Sequence, residues 1–349
     1  MKILIGDISS NKAISVVEFL RKAYPNIEIY SFDSRKFTEY IRTKNTTAHF
    51  IIGQDDFETY LNTIQKYKID YFLPVINKSI KLIISQRGKF AHCMNYVGSY
   101  KAYEILNDKR QLMSLSSNLD IKIPQTYDDI SDAKPLCVIK PTNLSSAEGV
   151  RYIRTDKEFQ KALTQYKDKN NIIVQELIEG IGVGYSVYAK DGDILVGYGH
   201  KRLSEYPISG GSSVYRETYD DKRMKDVASK VLKAVKWTGF AMFEFKLTAD
   251  NELYFIEVNS RIWGSINQGL QNGINYFEPI LGKARLHINN IEKKTFFSPF
   301  IYWILIAYAF NGNFKPLITF IKNIKNNRAD VSLFNDPKGW LSLVLRKIL

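Results

Sequence analysis

Apolar and polar positions alternate along the first third of the chain in a β–α rhythm. Short apolar runs at 2–5 (KILI), 27–32 (IEIYSF), 50–52 (FII) and 70–76 (DYFLPVI) read as strands. Between them, residues 13–23 and 57–67 carry helical spacing, which predicts a small parallel sheet with helices on its faces. Gly6 ends the first run, as before a ligand-facing turn. That turn, "GDISSNK", has no GxGxxG and gives little support to a dinucleotide site.

Further along, 101–119 reads as one helix containing Lys109 and Arg110, and Pro124 restarts the chain. "PLCVIKPTNLSSAEGVRYI" (135–153) reads as strand, small-residue loop and strand, followed by a helix over 156–167 and a strand over 171–180. Residues 184–203 form a predicted hairpin turning at Asp191-Gly192. A Gly/Ser loop (207–217) and a helix (221–236) lead into "FEFKLTADNELYFIEVNSR" (243–261).

That last segment holds two glutamates among residues of buried-strand type. A two-residue loop at Asp250-Asn251 sets Glu244 opposite Glu257, and Asn259 shares their face because strand side chains alternate. Opposed like charges destabilise a sheet, and burying them costs more. Two carboxylates and an amide oxygen form a hard-oxygen set suited to Mg²⁺, with phosphate and water completing the shell. The competing reading is two exposed glutamates on the wet face of a hairpin. A magnesium–phosphate site requires cations elsewhere. Lys140 ends the strand "CVIK", Lys109 precedes it on a helix, and the loop holding Ser145, Ser146 and Gly149 offers backbone N–H groups to phosphate oxygens. "VQELIEG" supplies a strand edge for an adenine, with Leu177 and Ile178 as apolar wall and Glu176 near an exocyclic amine.

In this order, Lys109, Lys140, the small-residue loop, "QELIEG", Glu244, Glu257 and Asn259 resemble the ATP-grasp superfamily, closest to its carboxylate–amine ligase branch, over roughly 100–282. The resemblance implies an α/β (α+β overall) chain: an N-terminal parallel α/β lobe (1–100), then an ATP-grasp small lobe with a phosphate lid (101–180). A large lobe with the Mg²⁺ and substrate site (181–290) and a basic, aromatic-rich helical C-terminal segment (291–349) follow. It implies ATP and Mg²⁺, or Mn²⁺ in its place, as cofactors. Lys109 and Lys140 would meet the phosphates under a lid at 143–149, and Glu176 to Ile178 would hold adenine. Glu244, Glu257 and Asn259 would bind the metal. Where many relatives hold the ribose with an acid about seven positions past the hinge glutamate, Val183 stands between two glycines, which leaves Glu179 for that contact. Met242 occupies a position where some ligases carry arginine, so Arg261 or Arg202 must supply the catalytic positive charge. The activity implied is activation of a carboxylate as an acyl phosphate and its coupling to an amine. The acid would be held by His200, Arg202 and the Gly210-Gly211-Ser212-Ser213 loop.

Composition bounds the alternatives. At 349 residues and 45% apolar the chain has room for two or three lobes. Its apolar start is interrupted by Asp7, too short for a signal peptide. Cys93 and Cys137 form no CxxC pair, so free thiols and a reducing, cytoplasmic setting are expected. The net charge of +13 is concentrated at the end: 283–349 carry eleven Lys/Arg against three Asp/Glu. No nucleic-acid module accompanies that charge. "FFSPFIYWILIAYAF" (296–310) is too short to span a membrane and reads as a buried helix, and 340–348 place Trp340, Leu341, Val344, Leu345 and Ile348 on one helical stripe. Both segments pack on the catalytic lobe or, with the basic charge, meet an anionic membrane at its inner surface through 296–349. Two other functions fit the same residues: an ATP-dependent phosphotransferase, or a nucleotide-binding subunit without turnover recruited by its basic tail. The identity of the acid and amine and the oligomeric state stay open.

Overall fold

The computed structural model describes all residues except 54–55, 95, 128–131, 135, 144–148, 166–170, 209, 285–293 and 349. Three sheets organise it. The first is fully parallel, with order β3-β2-β1-β4: β1 (Lys2–Ile5), β2 (Glu28–Asp33), β3 (Ala48–Ile51) and β4 (Tyr71–Leu73). The helices Asn11–Ala23 and Phe57–Tyr67 connect them, as the apolar spacing predicts. The Ser10 hydroxyl accepts from the Ala13 N–H (3.3 Å) and so starts the first of these. Because β1 lies between β2 and β4, the chain reverses direction of travel across the sheet there. Such a switch point opens a crevice beyond the strands' C-terminal ends. "GDISSNK" leaves β1 into that crevice.

The second sheet is antiparallel with order β5-β8-β6-β7: β5 (Thr126–Tyr127), β6 (Cys137–Pro141), β7 (Arg151–Ile153) and β8 (Ile172–Glu176). It has its own small core of Cys137, Ile139, Ile153, Phe159, Ile172 and Val174. The third sheet has seven strands in the order β13-β12-β9-β10-β11-β14-β15. These are β9 (Ile181–Lys190), β10 (Asp193–Tyr206), β11 (Ser212–Thr218), β12 (Gly239–Leu247), β13 (Leu253–Asn259), β14 (Thr295–Phe297) and β15 (Asn327–Ala329). The turn between β9 and β10 has positive φ at both Asp191 and Gly192, the backbone a two-residue hairpin demands. One continuous apolar core joins this sheet to the N-terminal lobe, from Ile3 and Phe72 to Phe243 and Trp263.

Three expectations need correction. The helix expected over 101–119 is two, Tyr100–Asn107 and Lys109–Asn118. Asp108 breaks the run because its carboxylate accepts from the Gln111 N–H (2.9 Å) and caps the second helix. This sets Lys109 at a helix start, buried. The 296–310 run is a short strand, β14, then a helix Ile301–Phe310 buried along one side only. In the last helix, Pro337–Ile348, the buried positions are Gly339, Ser342 and Leu343, while Leu341 and Ile348 face outward. The predicted stripe is only partly on the packed side: Trp340 joins Leu343 against Ile14 and Val331, and the outer members Leu341 and Ile348 do not. Cys93 and Cys137 are free and buried. Among the described residues no helix is long and apolar enough to cross a membrane.

Candidate active site

The β12–β13 hairpin turns differently from expectation and reaches the same end. Thr248 and Glu252 close a three-residue loop, with the Asn251 N–H donating to the Thr248 carbonyl (3.1 Å) and Asn251 itself at φ +62. Leu247 therefore pairs with Leu253 and Phe245 with Phe255, one step out of the predicted register. A bulge at Ile256 then restores that step, so Glu244 does lie opposite Glu257, and Met242 opposite Asn259. Both carboxylates and the amide line a cavity of about 360 Å³.

The next strand makes room for what meets them. Gly184 on β9 lies beside Glu244 and opposite His200 on β10. A Cβ at Gly184 would sit 2.5 Å from His200 Cε1, and one at Gly182 would sit 2.6 Å from Arg202 Cδ. These glycines free the space into which Arg202 reaches across the sheet to ion-pair with Glu244. Val183, between them, points the other way and is fully buried in the core. That explains why no acid stands there: its face is not the cavity face.

The two carboxylates are not left to a metal alone. Arg202 neutralises Glu244, and Lys109 Nζ lies 3.7 Å from Glu257. Asn259 donates through Nδ2 to Glu244 (3.0 Å) and accepts at Oδ1 from Arg261 (3.0 Å). Lys140, buried on β6, donates to Gln175 (2.9 Å). Burial, only partly offset by Glu257, pulls the Lys140 ammonium down to about 8. Burial and then the neighbouring Glu244 push Glu257 above the usual carboxylate range. For Arg202, burial is outweighed by Glu244 and Glu205, which hold its guanidinium firmly charged. Burial, with Arg202 and Arg216 nearby, keeps His200 neutral. The donor set suits a hard divalent cation: two opposed carboxylates and one amide oxygen, all oxygens, with cavity beside them. Among the described residues no group of three or more His, Cys, Asp or Glu forms a closed metal cage. Phosphate and water would have to complete the shell.

The structure brings together Lys109, Lys140, His200, Arg202, Gly210, Gly211, Ser212, Ser213, Glu244, Glu257, Asn259 and Arg261 around this one cavity. Gly210, at φ +131, lies directly under the Tyr152 hydroxyl of the second sheet, too close for any side chain. The Gly/Ser loop thus meets the small lobe across the cavity. Ser213 Oγ is buried and has no hydrogen-bond partner among the described residues. Glu176, the last residue of β8, and Leu177, Ile178 and Glu179 in the connection to β9 lie outside the cavity lining. Glu176 accepts from the Gln125 N–H (3.3 Å), and Glu179 pairs with Arg154 (3.0 Å) at the surface, so the carboxylate expected to hold a ribose is engaged elsewhere. Ser145 and Ser146 lie outside the described residues, and Gly149 follows them at φ +72.

Sequence reasoning missed the N-terminal lobe's share. Ser10, Asn11 and Lys12 line the cavity beside Trp263, Gly264 and Ser265. Lys12 Nζ donates to the carbonyls of Val75 and Ile262, and Asn11 Nδ2 to that of Gly264 (3.0 Å), so this lobe holds the segment after Arg261 in place. The ligand-facing turn after Gly6 was the available signal. Lys246, two residues past Glu244 and donating to the Gly180 carbonyl (3.2 Å), was legible from strand alternation.

Residues 106–265 match the family model of the ATP-grasp domain. The D-alanine–D-alanine ligase of Flavobacterium johnsoniae is 22% identical over 298 residues, covering 74% of this chain and 88% of that enzyme. Among solved structures, the L-amino acid ligase of Bacillus licheniformis superposes with a TM-score of 0.64 at 14% identity, over 84% of this chain and 74% of that one. The biotin carboxylase domain of Hydrogenobacter thermophilus 2-oxoglutarate carboxylase, solved with MgADP, gives 0.64 at 13% identity over 84% and 72%. At these identities the solved structures report a shared fold.

Proposed function

We infer the activity from family: the chain belongs to the ATP-grasp superfamily of ATP-dependent ligases, and we propose that it joins a carboxylic acid to an amine. The carboxylate oxygen of the acid takes the γ-phosphoryl group of ATP, releasing ADP. The amine then attacks the acyl carbon, phosphate leaves, and an amide and a proton remain. The observation that carries this reading is the opposed Glu244–Glu257 pair in one cavity with Lys109, Lys140, Arg202 and Arg261.

Bound ATP·Mg²⁺ supplies the phosphoryl group and the Lewis acid that offsets its charge. The chain's own residues do the rest. Glu244, Glu257 and the Asn259 amide oxygen hold the cation, which requires Arg261 to release Asn259. Lys109 and Lys140 neutralise phosphate oxygens, and Arg261, freed, faces the charge that develops at the transferring group. The 176–179 connection holds the nucleotide base at the boundary between lobes. Arg202, the neutral His200 and the free Ser213 hydroxyl orient the acid, with the Gly210–Ser213 loop closing over it to exclude water.

The test is isotopic. Acid labelled with ¹⁸O in its carboxylate, incubated with ATP, Mg²⁺ and an amine partner found by screening amino acids for ADP release, should pass one label to the released phosphate. ADP release without label transfer would overturn the acyl-phosphate route. A phosphotransferase would instead yield a phosphorylated hydroxyl product and no free phosphate.

A further inference from the structure

The helix Ile301–Phe310 (IYWILIAYAF) has no charged residue on any side. A helix apolar all round is ordinarily enclosed on every side. Here only one side is covered, by Ile301, Ile304, Leu305 and Tyr308 packing toward β11 and β14. The opposite side projects outward, with Trp303 75% and Phe310 88% exposed and Tyr302 and Ile306 beside them. The next helix, Lys315–Lys322, repeats the arrangement. Pro316 and Phe320 are buried, whereas Ile318 and Ile321 form an exposed stripe continuous with the exposed Phe314. The two helices pack together through Tyr302 and Phe320. Lys315 and Lys322 are exposed seven residues, about two helical turns, apart along one edge of that stripe.

The charge around these faces has one sign. Lys315, Lys322, Lys325, Arg328, Lys338 and Lys347 are exposed. The only described side-chain carboxylates after residue 294, Asp330 and Asp336, are buried. Asp330 is spent on Arg216, and Asp336 caps the last helix by accepting from the Gly339 N–H (3.0 Å). The segment's basic excess is therefore presented to the outside undiluted.

We propose that the faces of 301–310 and 314–324 form a docking surface for an anionic lipid bilayer. Trp303, Phe310, Phe314, Ile318 and Ile321 enter the headgroup–acyl boundary, and Lys315, Lys322 and Lys325 meet lipid phosphates. Aromatic and aliphatic side chains beside lysines, on helices too short to span, suit an interface that is apolar below and negative above. A soluble acidic partner accounts for the lysines but leaves the exposed aromatics without a role. The assignment is independent of the ligase reading, since ATP turnover without vesicles tests that reading separately.

The experiment is sedimentation of the full chain with phosphatidylcholine vesicles, with and without phosphatidylglycerol, followed by emission of the exposed Trp303. The expected result is binding to the anionic vesicles that weakens about fivefold for each of Lys315→Ala and Lys322→Ala, is abolished at about 1 M NaCl, and shifts tryptophan emission to the blue. Phe310→Ser should abolish binding with the thermal midpoint unchanged, because the side chain touches little in the free protein. Equal sedimentation with and without anionic vesicles overturns the proposal. So does a concentration-dependent dimer that Phe310→Ser abolishes, which gives the face to a second copy, and so does tight binding to duplex DNA that the same variant leaves intact.

Discussion

Arg202 and Arg216 face each other across β10 and β11, yet they answer two different problems. Arg216 and Asp330 are 1% and 2% exposed and close on each other through both guanidinium Nη atoms. Arg202 and Glu244 are 12% and 20% exposed, and Arg202 divides itself among Glu244, Glu205 and the Gly211 carbonyl. The first pair is sealed, and it ties β11 to the C-terminal segment. The second is one bond in a group of cations and acids that borders open cavity. A buried ion pair closed to solvent is structural, even though Asp330 also accepts from Asn11 (3.3 Å), whereas one that divides itself among several partners beside a cavity can exchange them for a ligand.

Substitutions should separate the two. The largest effect is expected from Glu257→Gln, which keeps shape and removes a charge: ADP formation should fall by about 10³-fold or more with the thermal midpoint little changed. Undiminished turnover would take Glu257 out of the cation site. Asp330→Ala should act on stability instead, lowering the unfolding free energy in urea by about 3–5 kcal/mol because Arg216 is left buried and uncompensated. A loss under about 1 kcal/mol would make that pair no different from a surface one. Gly182→Ala drives a methyl into Arg202 and should raise the KM for the acid, up to about 100-fold, while the KM for ATP holds. The smallest effect comes from protons. Lys140 is charged below about pH 8 and neutral above it. Nucleotide phosphates need it charged, so the KM for ATP should climb toward about tenfold per pH unit on the alkaline side. Lys140→Arg should remove that inflection.

What was legible in the sequence divides along the same line. The parallel lobe, the Asp191-Gly192 hairpin and the Glu244–Glu257–Asn259 face follow from periodicity and turn chemistry, which are local. Lys109 and Arg202 were legible as cations of the site, but their pairing with Glu257 and Glu244 was not. Arg202 is 42 positions from Glu244, and only glycines on an intervening strand let it across. Lys12 and Asn11 join the cavity because one lobe docks on another; "GDISSNK" marks a ligand-facing turn but does not encode which lobe meets it. The last helix shows the converse error. Its three leucines and one valine cover more than half its circumference, so composition identified a helix, and the contact with Ile14 chose the face.

The bulge at Ile256 separates the tip of its hairpin from the rows beneath. Because Glu244 is indexed against Gly184 on the inner neighbour as well as against Glu257, the chemistry takes its alignment from the interior of the sheet. Residues 249–251 can therefore be lengthened, shortened or replaced as a module, without disturbing which acid faces which.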